Sequence, residues 1–343
     1  MNTFFIKIYI AAAFSWLFFS CEQSEKDNRE QKTNQPNILI ISCEDISPLL
    51  GCYGDPVAHT PNLDQLASEG IMYTNVYSVS GVCAPSRAAL ITGLYSATFG
   101  ANDMRTNRKT LPDGIPPHEA VPPAEVKCYP ELMRVAGYYT ANNEKEDYQF
   151  NAPVTVWDES SKKADWRNRP AGQPFHAIFN IMTSHESQIW VMQNDPVVIR
   201  PDEVSVPPYY PDTKAVRDDI ARVYSNITVM DKEVGEILAR LEEDGLKDST
   251  IVIFYADHGG PLPRQKREIY DSGLKVPMII RYPDGRKAGT VDDQLISFVD
   301  IPATILSLAG IETPDYMHGQ AFAGPYKSEP RAYIFAARDK KGC

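Results

Sequence analysis

The chain is short of the features that knit small or metal-dependent folds together. Its 343 residues contain only six cysteines: Cys21, Cys43, Cys52, Cys83, Cys128 and Cys343. None of them shows metal-finger spacing, and together they make no dense disulfide framework. A Cys43–Cys52 bridge is conceivable, but isolated buried thiols are the expectation. Positive charge is also scarce. The 34 Lys and Arg against 45 Asp and Glu leave a net charge of −11, which argues against nucleic acid as a partner. An anionic substrate would therefore need a local basic pocket, because the overall field repels it. There is no internal repeat. The apolar run from Ile8 to Phe19 is too short to span a bilayer comfortably.

That run lies between Lys7 and Ser20-Cys21. Residues 1–20 therefore read as a lipoprotein-type signal peptide, and cleavage before Cys21 would leave an acylated cysteine holding the protein to a membrane. The alternative is an ordinary secretory signal with an incidental Cys. Either way the expectation is export to the cell envelope, as a periplasmic protein or outer-membrane lipoprotein. Residues 21–36 are polar, lack apolar periodicity and read as a flexible tether.

The remainder, with 43% hydrophobic residues overall, suits one large domain with at most a small appendage. Continuous apolar runs at Asn37–Ser42, His176–Thr183, Thr250–Ala256 and Val276–Arg281 have the pattern of strands buried on both faces. A further strand starts at Tyr138. Helices are expected at 61–69, capped by Thr60 with Pro61 at the first position and ended by Gly70. Others are expected at 131–137, 214–245 and 301–309. Strand and helix alternate, which points to an α/β fold with a mixed or parallel sheet covered by helices on both faces.

Two buried runs end in acidic tips, Glu44-Asp45 and Asp257-His258, where open α/β sheets place their ligand sites. Oxygen-rich clusters of this kind suit a hard divalent cation, Ca²⁺ or Mg²⁺. Between them in sequence stands Cys83-Ala84-Pro85-Ser86-Arg87-Ala88-Ala89-Leu90-Ile91-Thr92-Gly93. Its Cys has no nearby His or Cys with which to form a Cys–His enzyme or a C-x-x-C redox pair.

That stretch, C-x-P-S-R-x-x-L-x-T-G, resembles the signature of the formylglycine-dependent (type I) sulfatases. In that family the Cys is oxidised to an aldehyde whose hydrate is the nucleophile. The resemblance runs over nearly the whole chain after residue 36, through Pro36-Asn37-Ile38-Leu39, Thr60-Pro61-Asn62-Leu63-Asp64, Met230-Asp231, Asp257-His258-Gly259 and Lys266 with Val276-Pro277. Within the family it is most similar to the heparan N-sulfatase (sulfamidase)-like branch, by Val206–Arg217 and Ile251–Phe254.

The resemblance implies an alkaline-phosphatase-like fold. It implies a catalytic domain over 37–320 and, in 321–343, the beginning of a truncated C-terminal α+β subdomain with its first strand at 331–339. It also implies metal ligands at Glu44, Asp45, Asp257 and His258, completed by the group derived from Cys83. The family usually has Asp at the position of Glu44. Catalytic roles carry over to Cys83, Arg87, Lys145, His185 and Lys266. Arg87 supports the formylglycine, Lys145 and Lys266 bind sulfate oxygens, and His185 serves the leaving group. Asp147 stands where the family has a His and is a candidate base. Arg105 is a candidate substrate contact, while His59 and His318 read as structural or subsite residues.

The implied reaction is sulfate removal from a sulfated saccharide, O-ester ahead of N-sulfate, after a formylglycine-generating maturation enzyme has acted on Cys83. The alternatives are a phosphonate or phosphodiester hydrolase of the same superfamily and an inactive, truncated glycan-binding protein.

Overall fold

The computed structural model describes residues 35–104 and 118–338. The readings placed on residues 1–20, Cys21, Arg105 and Cys343 lie outside the described residues. A compact unit begins at Asn37. Among the described residues, no helix is long and apolar enough to cross a membrane.

The sheet is built from β1 (Asn37–Cys43), β2 (Ile71–Tyr77), β3 (Tyr139–Asn143), β4 (Glu159–Ser160), β5 (Phe175–Ile181), β6 (Thr250–Ala256), β7 (Lys275–Arg281), β8 (Thr290–Asp292) and β9 (Ile296–Ser297). The order is β4-β3-β5-β1-β6-β7-β2-β8, with β9 also on β2. Pairings from β4 to β6 are parallel; β7 runs antiparallel to both β6 and β2. The two central strands, NILIISC and TIVIFYA, are buried at every position, as their unbroken apolar composition requires of strands covered on both faces.

Register is what positions the site. Cys43 of β1 pairs with Ile181 of β5 and with Ala256 of β6, so the three strands finish level. The residues that follow, Glu44-Asp45, the 182–187 turn and Asp257-His258, therefore emerge at one edge.

The helices are α1 (Pro61–Glu69), α2 (Cys83–Thr92), α3 (Tyr129–Val135), α4 (Gln188–Val191), α5 (Lys214–Glu243), α6 (Asp271–Leu274) and α7 (Asp300–Leu308). Thr60 is not the side-chain cap of α1. Its Oγ1 instead accepts from Gly51 N at 2.9 Å. The first amides of α1 are satisfied from α5: Asp231 Oδ1 accepts from Leu63 N at 2.8 Å, and Asp231 Oδ2 from Asn62 N at 3.1 Å. A buried carboxylate is the stronger acceptor for orphan amides, and it complements the positive end of the helix. The two helices approach so closely that a Cβ on Gly235 would meet Asn62 Oδ1 at 2.4 Å.

Residues 331–338 form no strand. A strand needs a neighbour, and this segment's backbone bond to the sheet side is Ala337 N to Val79 O at 2.9 Å. Arg331 pins it to Asp300 at 2.6 Å. Cys43, Cys52, Cys83 and Cys128 are all free thiols.

Candidate active site

Cys83 is the first residue of α2, a helix buried along its whole length. Its Sγ lies 3.6 Å from His258 Nε2. His258 Nε2 is in turn 2.9 Å from Asp45 Oδ1 and 3.7 Å from Asp257 Oδ1. The donor atoms of Glu44, Asp45, Cys83 and His185 lie within 4.8 Å of one another, and so do those of Cys83, Asp257 and His258. Asp45 sits at φ 52°. This is a left-handed conformation that costs energy for any side chain with a Cβ and that recurs at functional sites. It turns the backbone so that Asp45 N donates to Asp257 Oδ1 at 3.2 Å. Gly259 follows because a Cβ there would meet Ser272 O at 2.2 Å.

Basic side chains surround these carboxylates. Arg87 Nη1 donates to Asn180 Oδ1 at 2.8 Å, Nη2 reaches Glu44 Oε1, and Nε lies 3.4 Å from Asp257 Oδ2. Lys145 Nζ bonds Glu44 Oε2 and lies 3.5 Å from Asp147 Oδ2. Lys266 Nζ donates to Asp45 Oδ2 at 2.6 Å and stands 3.2 Å from His185 Nε2. Each predicted site residue among the described ones is thus brought to the same edge of the sheet. His59 and His318 are exposed instead, and His318 stacks on Tyr95 with ring centroids 5.7 Å apart.

Burial opposes ionisation of Glu44, but Arg87 and then Lys145 outweigh it and hold its carboxyl down to about 2. Asp45 is likewise held well below the carboxylate range: burial acts against it, and His258 and Lys266 prevail. Burial and the neighbouring Glu44 push Asp257 up. Burial and Asp257 push the Cys83 thiol up. Burial lowers His185, with Asp45 opposing and Lys266 reinforcing the shift.

The donor set fits a hard divalent cation. Asp45 Oδ1 and Asp257 Oδ2 are buried carboxylate oxygens whose nearest cationic groups, His258 Nε2 at 2.9 Å and Arg87 Nε at 3.4 Å, do not stand in hydrogen-bonding geometry to them, and buried carboxylate oxygens are costly unless positive charge faces them. Carboxylate oxygen is the ligand type that Ca²⁺ and Mg²⁺ prefer.

Sequence reasoning did not find Asn180, which braces Arg87 and donates through Nδ2 to Asn142 Oδ1 at 2.9 Å. Its signal was an amide inside a strand otherwise apolar except for His176. Glu186 and Arg267 were also missed. They are bonded to each other at 2.8 Å and 2.5 Å, on the turns that carry His185 and Lys266.

Residues 36–311 match the model of the Sulfatase family. An ulvan-active sulfatase of Formosa agariphila is 46% identical over 353 residues, covering 93% of this chain and 59% of that protein. The chain thus spans about three fifths of that relative's length. Two solved structures have the same fold. A 2-O glycosaminoglycan sulfatase superposes with a TM-score of 0.69 at 21% identity, covering 88% of this chain and 77% of its own. The phosphonate monoester hydrolase of Silicibacter pomeroyi gives 0.63 at 19% identity, covering 84% and 76%. With the family model matched from before the first strand to beyond the last helix, the mixed sheet is the alkaline-phosphatase-like sulfatase fold, and the chain belongs to the sulfatase family.

Proposed function

We propose that the protein hydrolyses sulfate esters of a sulfated saccharide, using a formylglycine made from Cys83. The observation that carries this is the convergence of Cys83, three buried carboxylates and three permanent cations at one sheet edge. A bound Ca²⁺ or Mg²⁺, held by Glu44, Asp45, Asp257 and His258, would draw charge from the sulfate oxygens, and the hydrated aldehyde at position 83 would supply the attacking hydroxyl.

The chain's own side chains do the rest. Arg87, locked by Asn180 and Glu44, orients the group at position 83. Lys145 and Lys266 supply donors to the sulfate oxygens as charge develops. Attack at sulfur forms one S–O bond and breaks another, and the departing oxygen takes its proton from His185. Asp147, 3.5 Å from Lys145 Nζ, is the base assigned to the deprotonation that frees sulfate.

An O-sulfate ester is preferred to an N-sulfate, because His258 stands where the N-sulfatase-like branch has Asn. The 46% identity to an ulvan-active sulfatase supports a sulfated polysaccharide as substrate. Export behind a lipoprotein-type signal, an acyl anchor at Cys21 and processing by a formylglycine-generating enzyme complete the proposal.

Mass spectrometry of the Cys83 peptide from the native host, paired with turnover assays, tests it. The expected product has one sulfur and two hydrogens replaced by oxygen, and it hydrolyses aryl sulfate and ulvan oligosaccharides. An unmodified thiol would overturn the mechanism. A higher kcat/KM on an aryl phosphonate monoester would move the protein to the phosphonate hydrolases. Glycan binding without sulfate release would make it a binding protein.

A further inference from the structure

Arg267 joins three separate parts of the site. Its backbone N donates to Gly81 O at 2.7 Å, two residues before Cys83. Its guanidinium clasps both oxygens of Glu186, the residue after His185. Its chain neighbour, Lys266, is bonded to Asp45. Glu186 completes the junction: its backbone N donates to Asp45 Oδ2 at 2.6 Å, and its Oε1 lies 3.5 Å from Lys266 Nζ.

The backbone pays for this arrangement. Arg264 and Arg267 adopt φ 61° and 72°, a region that a residue with a side chain occupies only when its surroundings hold it there. A Cβ on Gly81 would meet Glu268 O at 2.6 Å, so the turn presses directly on the chain that leads to Cys83. A two-bond Arg–carboxylate pair fixes orientation as well as distance.

We propose that Glu186 is a positioning residue for proton delivery. Clasped by Arg267, it ties the turn carrying His185 to the turn carrying Lys266 and sets where His185 stands relative to the leaving oxygen. This rests on the reading of His185 as the group that protonates that oxygen. Lys266 and His185 face each other at 3.2 Å on two turns that have no strand pairing between them, and the Glu186–Arg267 clasp, with the longer Glu186–Lys266 contact of 3.5 Å beside it, ties one to the other. Without it, Asp45 still holds Lys266, but the His185 side chain loses its register.

The test uses leaving-group dependence, which a general loss of folding would not produce. Glu186→Gln and Arg267→Gln are made in the matured protein and assayed on a saccharide sulfate and on 4-nitrophenyl sulfate. The saccharide oxygen needs a proton to depart; nitrophenolate does not. Expected is a fall in kcat of about 10-fold to 100-fold on the saccharide and of less than about threefold on the nitrophenyl ester, with KM little changed. The double variant should be no worse than the poorer single one, since both break one tie. Equal losses on the two substrates, or no loss, would overturn the proposal. The reciprocal pair Glu186→Arg with Arg267→Glu should recover part of the saccharide rate if the tie itself matters. If the wild-type protein releases no sulfate from either ester, the functional reading fails on its own. A crystal structure of Glu186→Gln then decides the clasp, which stands if His185 has moved from Lys266 and falls if their 3.2 Å contact persists.

Discussion

Arg87 Nη1 donates to Asn180 Oδ1 at 2.8 Å, so the cation one turn into the nucleophile helix is braced by β5. Its remaining nitrogens face Glu44 and Asp257, both fully buried. Replacing Arg87 with Met should leave Asp257 without its guanidinium and Glu44 with Lys145 as its remaining cation, and cost about 3–5 kcal/mol, the usual penalty for breaking a buried pair from one side. Asn180→Ala should cost less, about 1–3 kcal/mol, because it removes a neutral brace. Urea unfolding in metal-free buffer checks both. An Arg87→Met protein as stable as wild type would show that the carboxylates are balanced by other groups.

The test of a metal at this edge rests on Asp45 Oδ1 and Asp257 Oδ2, buried carboxylate oxygens without a hydrogen bond of good geometry. Calcium should stabilise the fold, by about 2.7 kcal/mol at a hundredfold excess over its Kd. Asp45→Asn should abolish most of that gain. Calorimetric unfolding with Ca²⁺ and with EDTA reads the effect directly, without any assay of turnover. Identical transitions in the two buffers would count against a cation at this edge.

The acid stability of the fold should report on His176, far along β5 from the site. It is fully buried and bonded to Tyr129 Oη at 2.8 Å, and burial pushes its pKa down to about 3. The unfolded imidazole titrates near 6.5. A folded pKa below the unfolded one means that the unfolded chain binds the extra proton first. The neutral ring's contribution is therefore intact above about pH 6.5 and is lost as pH falls toward about 3. His176→Gln should flatten unfolding free energy against pH across that window. An unchanged slope would show that His176 is protonated in the native state.

The elements that sequence revealed and those it hid differ in how locally they are determined. The runs Asn37–Ser42 and Thr250–Ala256 became β1 and β6 because an unbroken apolar segment has one low-energy place in an α/β sheet. The acidic tips converged because level strand ends leave them nowhere else to go. Asn180, Glu186 and Arg267 were hidden because their roles depend on partners far away in sequence, 93 residues for Asn180 and Arg87 and 141 for Glu186 and Asp45. A polar residue in a strand or turn carries no mark of such a partner. The cap of α1 was misread for the same reason. Thr60 looked sufficient locally, while Asp231, on a helix that begins at Lys214, supplies the acceptor. At 331–338 the family resemblance implied a strand, but a strand is made by its neighbour, and among the described residues this segment has one backbone bond to the sheet side, Ala337 N to Val79 O.

Asp147 offers the sharpest kinetic separation. It lies 3.5 Å from Lys145 Nζ and holds a left-handed backbone at φ 56°. Asn tolerates that conformation as Asp does, so Asp147→Asn removes the carboxylate's basicity without forcing the turn to change. If Asp147 takes the proton in the step that frees sulfate, the variant should still release the first alcohol. Rapid mixing with an aryl sulfate should then show a burst of about one equivalent per active site, followed by turnover slowed by about 10²-fold to 10⁴-fold. Lys145→Met, which removes a donor to the sulfate in the first step, should slow the burst itself, by about 10²-fold or more. A steady rate unchanged in Asp147→Asn would assign the proton to another group and leave Asp147 as the companion of Lys145.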